Sequence, residues 1–177
     1  GSDAAFAKAF AIGLRANGAM VKLNLSNNML ATKDAGKVLA EMLSNNSVLK
    51  ELNVSKNAQH PSGSTWGGAD GPGFAMELAV GVSASRALTS LKISNNKMLS
   101  HRDEGRAAGK VLSDMIAANT VLRDLDLSKN CEYSDTGGFG FVEELAVGLG
   151  ANGTLVKLDV SSNGLSNDQV THFKGLC

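Results

Sequence analysis

The chain has 177 residues, enough for one domain with a sizeable buried core, and its 43% of hydrophobic residues exclude intrinsic disorder. The 17 basic residues balance the 17 acidic ones, which argues against a dedicated nucleic-acid binder. Because only two cysteines occur and no apolar run reaches the roughly 20 residues of a membrane span, we expect a cytoplasmic protein without a disulfide framework.

A block of 19 residues recurs five times, beginning at residues 10, 39, 78, 112 and 145. Its first half places apolar residues at i, i+1 and i+4, as Leu39, Ala40 and Leu43 do, which predicts a helix. In its second half Leu52 and Val54 alternate with polar neighbours, which predicts a half-buried strand. Such units are stable only when stacked, with parallel strands and the helices outside. We therefore predict one domain over residues 1–177, with five strands near 21–26, 50–55, 89–94, 123–128 and 156–161.

An asparagine ends every block, at a fixed interval after the strand. At the turn out of a strand, backbone donors and acceptors lose their sheet partners, and a carboxamide can serve both kinds of group. The sequence therefore predicts a stacked structural ladder of these asparagines, which are Asn28, Asn57, Asn96, Asn130 and Asn163.

The pattern L-x-x-L-x-L-S-x-N, read as LKELNVSKN at 49–57 and LRDLDLSKN at 122–130, resembles the leucine-rich-repeat family. The shortest repeat of 29 residues, with a full helix, resembles the ribonuclease-inhibitor-type subclass. The resemblance implies an α/β solenoid in a right-handed horseshoe arc, with a parallel sheet on the concave face and helices on the convex face. It implies a curved binding scaffold and no particular activity. The chain departs from the pattern in its long inserts and at Ser85, where other blocks have asparagine.

Alternation along the strands predicts three rows of outward-facing side chains on the concave face. Opposite charges in neighbouring repeats suggest the pairs Lys22–Glu51, Lys92–Asp126 and Asp124–Lys157, which either keep the strands soluble and in register or belong to a binding surface. The first row is Lys22, Glu51, Ser90, Asp124 and Lys157, the second is Asn24, Asn53, Lys92, Asp126 and Asp159, and the third is Ser26, Ser55, Ser94, Ser128 and Ser161.

Two surfaces are candidates for binding a partner. On the concave face, Asp124, Asp126 and Asp159 form a carboxylate patch for a basic partner, with Lys92 beside them. The other candidate is the edge where three predicted loop inserts leave, at 58–73, 97–109 and 131–140, because long loops on a rigid scaffold often carry function. Neutral loop expansion competes with this interpretation. The insert candidates are His60, Trp66, His101, Arg102 and Tyr133.

The function that these features indicate is a scaffold that binds a protein partner of unknown identity. We expect no catalytic residues, metal, cofactor, nucleic acid, membrane or small-molecule substrate. The aspartic-protease-like triplet at 135–137 has no second copy, and the histidines lack ligand spacing with the cysteines.

Two further hypotheses stay open. One is a regulatory repeat domain of the GTPase-activator-like or actin-capping (tropomodulin-like) type, in which Arg102 would act as an activator's basic residue. The other is that the chain is a segment of a longer protein. We expect a monomer or weak self-association through the solenoid ends, because Phe6, Phe10 and Phe173 lie near ends that need polar caps.

Overall fold

The computed structural model describes residues 9, 12–14, 17–58, 68–99, 102–131 and 138–165. Within these ranges, five strands form one parallel sheet in chain order, and helices alternate with them. No helix of these ranges is both long and apolar enough to cross a bilayer. The strands are β1 (Lys22–Asn24), β2 (Glu51–Asn53), β3 (Ser90–Lys92), β4 (Asp124–Asp126) and β5 (Lys157–Asp159), and the helices are α1 (Lys33–Asn45), α2 (Gly71–Ala84), α3 (Arg102–Ala118) and α4 (Gly138–Ala151).

This alternation confirms the predicted α/β repeat fold, although each strand is shorter than predicted. The strands have three residues each, but backbone hydrogen bonds continue past them, as from Leu25 N–H to the carbonyl oxygen of Asn53 at 2.7 Å. The extended conformation ends two residues later, because Asn27 adopts a positive φ of 62°. The same left-handed turn follows every strand, at Asn27, Lys56, Asn95, Lys129 and Ser162.

The two layers of the stack require different spacings. Neighbouring strands lie about 4.8 Å apart, whereas packed helices need roughly 8–10 Å. Since each repeat contributes one strand and one helix, the stack bends with the sheet on its inner side. We call the side of the sheet that faces away from the helices the concave sheet face.

The core lies between the sheet and the helices. Leu52, Leu91 and Leu125, the central residues of β2, β3 and β4, are no more than 1% exposed, whereas Leu158 of the last strand is half-buried. A fully buried leucine contributes roughly 1.5–3 kcal/mol to folding. The helix-facing positions are therefore fixed by packing, and only the opposite face of each strand is available for binding.

The helices alternate between close and wide spacing, with a period of two repeats. At the fourth place of the block, α2 and α4 have Gly81 and Gly148, whereas α1 and α3 have Met42 and Met115. A Cβ at Gly81 would lie 2.3 Å from the Cα of Ala40, and one at Gly148 would lie 2.3 Å from a backbone oxygen of α3. The two methionines are fully buried instead. Consequently α1 packs closely on α2, and α3 on α4, while α2 and α3 make fewer contacts.

The predicted loop at 97–109 is wrong from residue 102 onward. Met98 and Leu99 are buried, and α3 begins at Arg102. The additional residues of this repeat therefore lengthen its helix, which has 17 residues, compared with 13 or 14 in the other helices. Residues 71–73 and 138–140 of the other two predicted inserts likewise belong to the first turns of α2 and α4.

Candidate protein-binding face

The first two predicted rows are in register across all five strands. Lys22 pairs with Glu51 in the β1–β2 ladder, and Asp126 pairs with Asp159 in the β4–β5 ladder. The side chains of both rows are exposed or half-buried. In the third row, by contrast, Ser55 and Ser128 are buried. Ser26 and Ser94 of that row are half-buried, and Ser161 is exposed. The outward-facing surface therefore includes the first two rows throughout and only part of the third.

Two of the three predicted charge pairs are present on this face. The Nζ of Lys22 lies 2.7 Å from an Oε1 of Glu51, and the Nζ of Lys157 lies 3.8 Å from an Oδ2 of Asp124. The lysine side chains are 71% exposed in both pairs, so each pair contributes only about 0–1 kcal/mol. Their main consequence is that four of the charges on the face cancel locally.

The third predicted pair, Lys92 with Asp126, does not form in the described part of the chain. The Oδ1 of Asp126 accepts hydrogen bonds from the backbone N–H of Ser128 at 3.0 Å and from its hydroxyl at 2.7 Å. The carboxylate is thus held within its own repeat. Within the same part of the chain, the ammonium group of Lys92 forms no ion pair.

A side-chain acceptor closes the turn after four of the five strands. The second-row residue accepts a hydrogen bond from the backbone N–H of the serine two positions later, a turn that only an Asn or Asp side chain makes well. Lys92 has no acceptor atom, so β3 alone lacks this bond. This pattern was not predicted, although it is readable in the sequence as Asn or Asp before the last apolar residue of these four strands. The acceptors are Asn24, Asn53, Asp126 and Asp159, at 2.9–3.0 Å.

The predicted carboxylates are brought together across β4 and β5. The side chain and backbone N–H of Ser161 hold the pKa of Asp159 below its ordinary value of 3.8, and the charges of Lys157 and Lys129 act in the same direction. Asp159 is therefore ionised at neutral pH. With Asp126 opposite it in the ladder, the patch carries unpaired negative charge.

A depression of about 290 Å³ lies on the other half of the face, over β1, β2 and β3. The Oδ1 atoms of Asn24 and Asn53 are occupied by the serine N–H groups of their turns. Their Nδ2 groups have no hydrogen-bond partner among the described residues. These donors carry no charge and were not among the predicted site residues. The polar residues that line the depression are Lys22, Asn24, Glu51, Asn53, Ser90 and Lys92.

The residues predicted for the insert edge cannot be placed together. Arg102 begins α3, and its side chain is outside the described part of the chain. The insert edge therefore stays a prediction. The remaining candidates of this edge, and the aromatic residues predicted near the ends, lie outside the described residues: His60, Trp66, His101, Tyr133, Phe6, Phe10 and Phe173.

Comparison with known proteins agrees with this architecture. A family model described as Leucine Rich repeat matches residues 118–142, which include β4, its asparagine turn and the start of α4. This is a leucine-rich-repeat fold. No curated protein matches the chain in sequence. Among the described residues of this leucine-rich-repeat fold, no group of three or more His, Cys, Asp or Glu could hold a metal ion.

Two solved structures are similar to this chain. The first is leiomodin-1 actin-binding site 2, with 20% identity and a TM-score of 0.68, covering 94% of this chain and 84% of that one. The second is the tropomodulin C-terminal domain from Caenorhabditis elegans, with 14% identity and a TM-score of 0.62, covering 96% and 90%. At these identities the likeness concerns the fold.

Proposed function

We propose that this chain is a protein-interaction scaffold of the ribonuclease-inhibitor-type leucine-rich-repeat subclass, which binds a protein partner through its concave sheet face. One observation carries the proposal: five strands hold two rows of polar side chains in register on a face where those side chains remain accessible. Because the sheet is already ordered before binding, association loses little conformational entropy on this side of the interface. The helix of 13 to 17 residues in each complete repeat supports the subclass.

Binding fits the chemistry of this face better than catalysis does. A general base needs a pKa near the working pH, whereas hydrogen bonds from Ser161 lower the pKa of Asp159. The Asp126 carboxylate is likewise committed to Ser128. We accordingly propose a non-enzymatic role, and we place it in the cytoplasm because 177 residues contain only two cysteines.

The test is affinity capture with three variants beside the wild type, each first shown by circular dichroism to be folded under the capture conditions. Asp126→Lys reverses a charge on the concave sheet face, and Glu41→Lys makes the same change on the exposed side of α1. Trp66→Ala alters the predicted insert edge. We expect a partner that Asp126→Lys loses and Glu41→Lys retains. A partner lost only with Trp66→Ala would assign binding to the insert edge and reject the concave face.

Actin is the first individual partner to test, because the leiomodin-1 structure is described as an actin-binding site. Fluorescence anisotropy with labelled monomeric actin and co-sedimentation with filaments cover both forms. Binding that Asp126→Lys weakens would support the actin-capping form of the proposal. The GTPase-activator form depends on Arg102 alone, and it fails if Arg102→Ala leaves the GTP hydrolysis of a candidate GTPase unchanged.

A further inference from the structure

We propose that the concave sheet face is polarised along the solenoid, and that it binds a protein segment with a carboxylate over β1–β3 and a cationic side chain over β4–β5. This inference rests on the proposed function and names the chemistry of the partner. The proposal rests on a difference between two halves of one continuous sheet. One half offers mainly hydrogen-bond donors, and the other offers mainly acceptors.

The half over β1–β3 offers donors. Lys22 and Glu51 form an ion pair at 2.7 Å and cancel each other, so Lys92 leaves this half with one net positive charge. The Nδ2 groups of Asn24 and Asn53 line the same depression. An ammonium and two amide groups around one depression suit a carboxylate, which accepts up to four hydrogen bonds.

The half over β4–β5 offers acceptors. Within the two rows, the paired charges of Asp124 and Lys157 cancel, which leaves the carboxylates of Asp126 and Asp159. Lys129, outside the rows, also acts on the charge of Asp159. Both carboxylates are half-buried, and in each the Oδ1 atom is held by a serine N–H. Two fixed carboxylates on adjacent strands suit the ammonium or guanidinium group of a partner. Arg123 and Lys129 flank this half, before and after β4.

The residue type at position 92 also indicates that a ligand binds here. This position holds a turn-closing Asn or Asp in each of the other four repeats, and lysine gives up that local bond. A residue that breaks a local structural rule without a visible compensation is a candidate for function. Here the ammonium group is exposed at the edge of the donor-lined depression, where an anionic group would meet it.

The spacing of the strands sets the length of the segment. From β2 to the midpoint of β4 and β5 is two and a half strand spacings, or about 12 Å. An extended segment spans this distance with about four residues at roughly 3.3 Å each. A segment with charges of one sign would be repelled at one of the two halves, so the polarity provides specificity as well as attraction.

The inference can be tested by NMR titration of the whole chain with three peptides. The acidic probe carries two glutamates, the basic probe two lysines, and the tandem probe joins both pairs through three neutral residues. We expect the acidic probe to shift the side-chain amide signals of Asn24 and Asn53. The basic probe should shift the backbone amides of Ser128 and Ser161. The tandem probe should bind about 10-fold more tightly than either single probe, because the second contact becomes intramolecular.

Lys92→Asn separates binding from structure. It restores a turn-closing acceptor, so the Ser94 amide should exchange more slowly and the chain should be no less stable. The acidic probe should lose its shifts, and the tandem probe should fall to the affinity of the basic probe. Lys37→Asn, on the exposed side of α1, is the matched control. It should change neither the shifts caused by the acidic probe nor the affinity of the tandem probe.

Two outcomes overturn the inference: a tandem probe no tighter than the basic probe on the wild type, or acidic-probe shifts that persist in Lys92→Asn. Either result leaves the proposed function standing if Asp126→Lys still loses a captured partner. Conversely, polarised peptide binding without any captured partner would reject the scaffold role and keep the polarity.

Discussion

The Oδ1 of Asn96 accepts a hydrogen bond from the backbone N–H of Asn57 at 2.7 Å, which joins two consecutive repeats at the turn after the strand. Its Nδ2 donates to the carbonyl oxygens of Val54 and Ile93, at 3.0 Å each. The same 2.7 Å bond links every neighbouring pair in the series and confirms the predicted asparagine ladder. The series is Asn28, Asn57, Asn96, Asn130 and Asn163.

Replacing a central member of the ladder should strongly destabilise the fold. Asn96→Ala leaves the Asn57 N–H buried without a partner, at a cost of roughly 1–3 kcal/mol. It also removes one of the two side-chain donors to each of the carbonyl oxygens of Val54 and Ile93, which keep Asn57 and Asn130 as donors. We expect a loss of about 2–4 kcal/mol in the free energy of unfolding, measured by urea denaturation. Asn28→Ala is the control, because Asn28 is exposed and its carboxamide makes one local bond, to Ser26. Equal losses in both variants would contradict the role of the ladder.

Ser85→Asn should stabilise the chain. A second ladder joins the ends of the helices, where Asn46 and Asn119 donate to the carbonyl oxygens of Leu14 and Val82 in the preceding repeat. Among the described residues, the Ser85 hydroxyl only accepts hydrogen bonds, from the N–H groups of Ala87 and Leu88 at 3.3–3.5 Å, so this rung is missing between the second and third repeats.

An asparagine at position 85 can supply that donor, and we expect a gain of about 1 kcal/mol in the free energy of unfolding. Asn119→Ser, the reciprocal change, should lower it by a similar amount or more, since Asn119 is buried. Thermal and urea denaturation of both variants measure the effect. A destabilised Ser85→Asn would show that the gap between these repeats is too narrow for the longer side chain.

Two glycine substitutions should have opposite effects. A Cβ at Gly81 would lie 2.3 Å from the Cα of Ala40, so Gly81→Ala forces α2 away from α1 and should cost about 1–3 kcal/mol. At Gly150, in α4, an added Cβ would have no atom within 4 Å apart from its chain neighbours and the backbone of its own helix, so Gly150→Ala should stabilise by about 0.5–1 kcal/mol through helix propensity. Urea denaturation of both variants decides. Two changes of the same sign would contradict the close helix pair.

The titration of Asp159 should depend on Ser161. Because the Ser161 side chain is the main cause of the lowered pKa, Ser161→Ala should raise the pKa of Asp159 towards its ordinary value of 3.8. Carboxyl-carbon NMR measures the titration directly. An unchanged pKa in Ser161→Ala would show that the backbone N–H and the nearby lysines suffice.

The same carboxylate makes stability depend on pH. Since the folded-state pKa of Asp159 is below its unfolded value, the ionised group stabilises the fold above pH 3.8, and this contribution is lost as the pH falls through the lowered pKa. Asp159→Asn should therefore show a smaller drop in the urea midpoint over the acid range than the wild type. Parallel curves for the two proteins would contradict the assignment.

The rows of the sheet could be predicted from the sequence because the repeated blocks identify equivalent positions. The alternation within each strand then shows which face of the sheet those positions are on. The prediction failed where a residue had a nearer partner than the one proposed. Asp126 is bound by Ser128 within its own turn, and that bond competes with Lys92 across the strand. The segment 97–109 was predicted as a loop because its length exceeds the shared block, although its later residues continue the helix.

The donor-lined depression was missed for a different reason. Its donors are the Nδ2 groups of Asn24 and Asn53, which remain available because the Oδ1 atoms of the same side chains close the turns. The sequence does not show which atom of a carboxamide is already bonded. The alternation of glycine and methionine was readable but overlooked, because a consensus over all five blocks averages it away. Gly81 and Gly148 share one place, and Met42 and Met115 share the same place in the intervening blocks.

Because glycine and methionine alternate at this place, two repeats are the smallest segment that can be added or removed without a mismatch. Removing residues 78–111 alone would place the helix with Met115 directly after the helix with Met42, against a surface shaped for glycine. Removing or copying a consecutive pair keeps glycine and methionine alternating at every junction. Longer and shorter versions of this solenoid should therefore fold when they differ by even numbers of repeats, and odd numbers should create a mismatched joint.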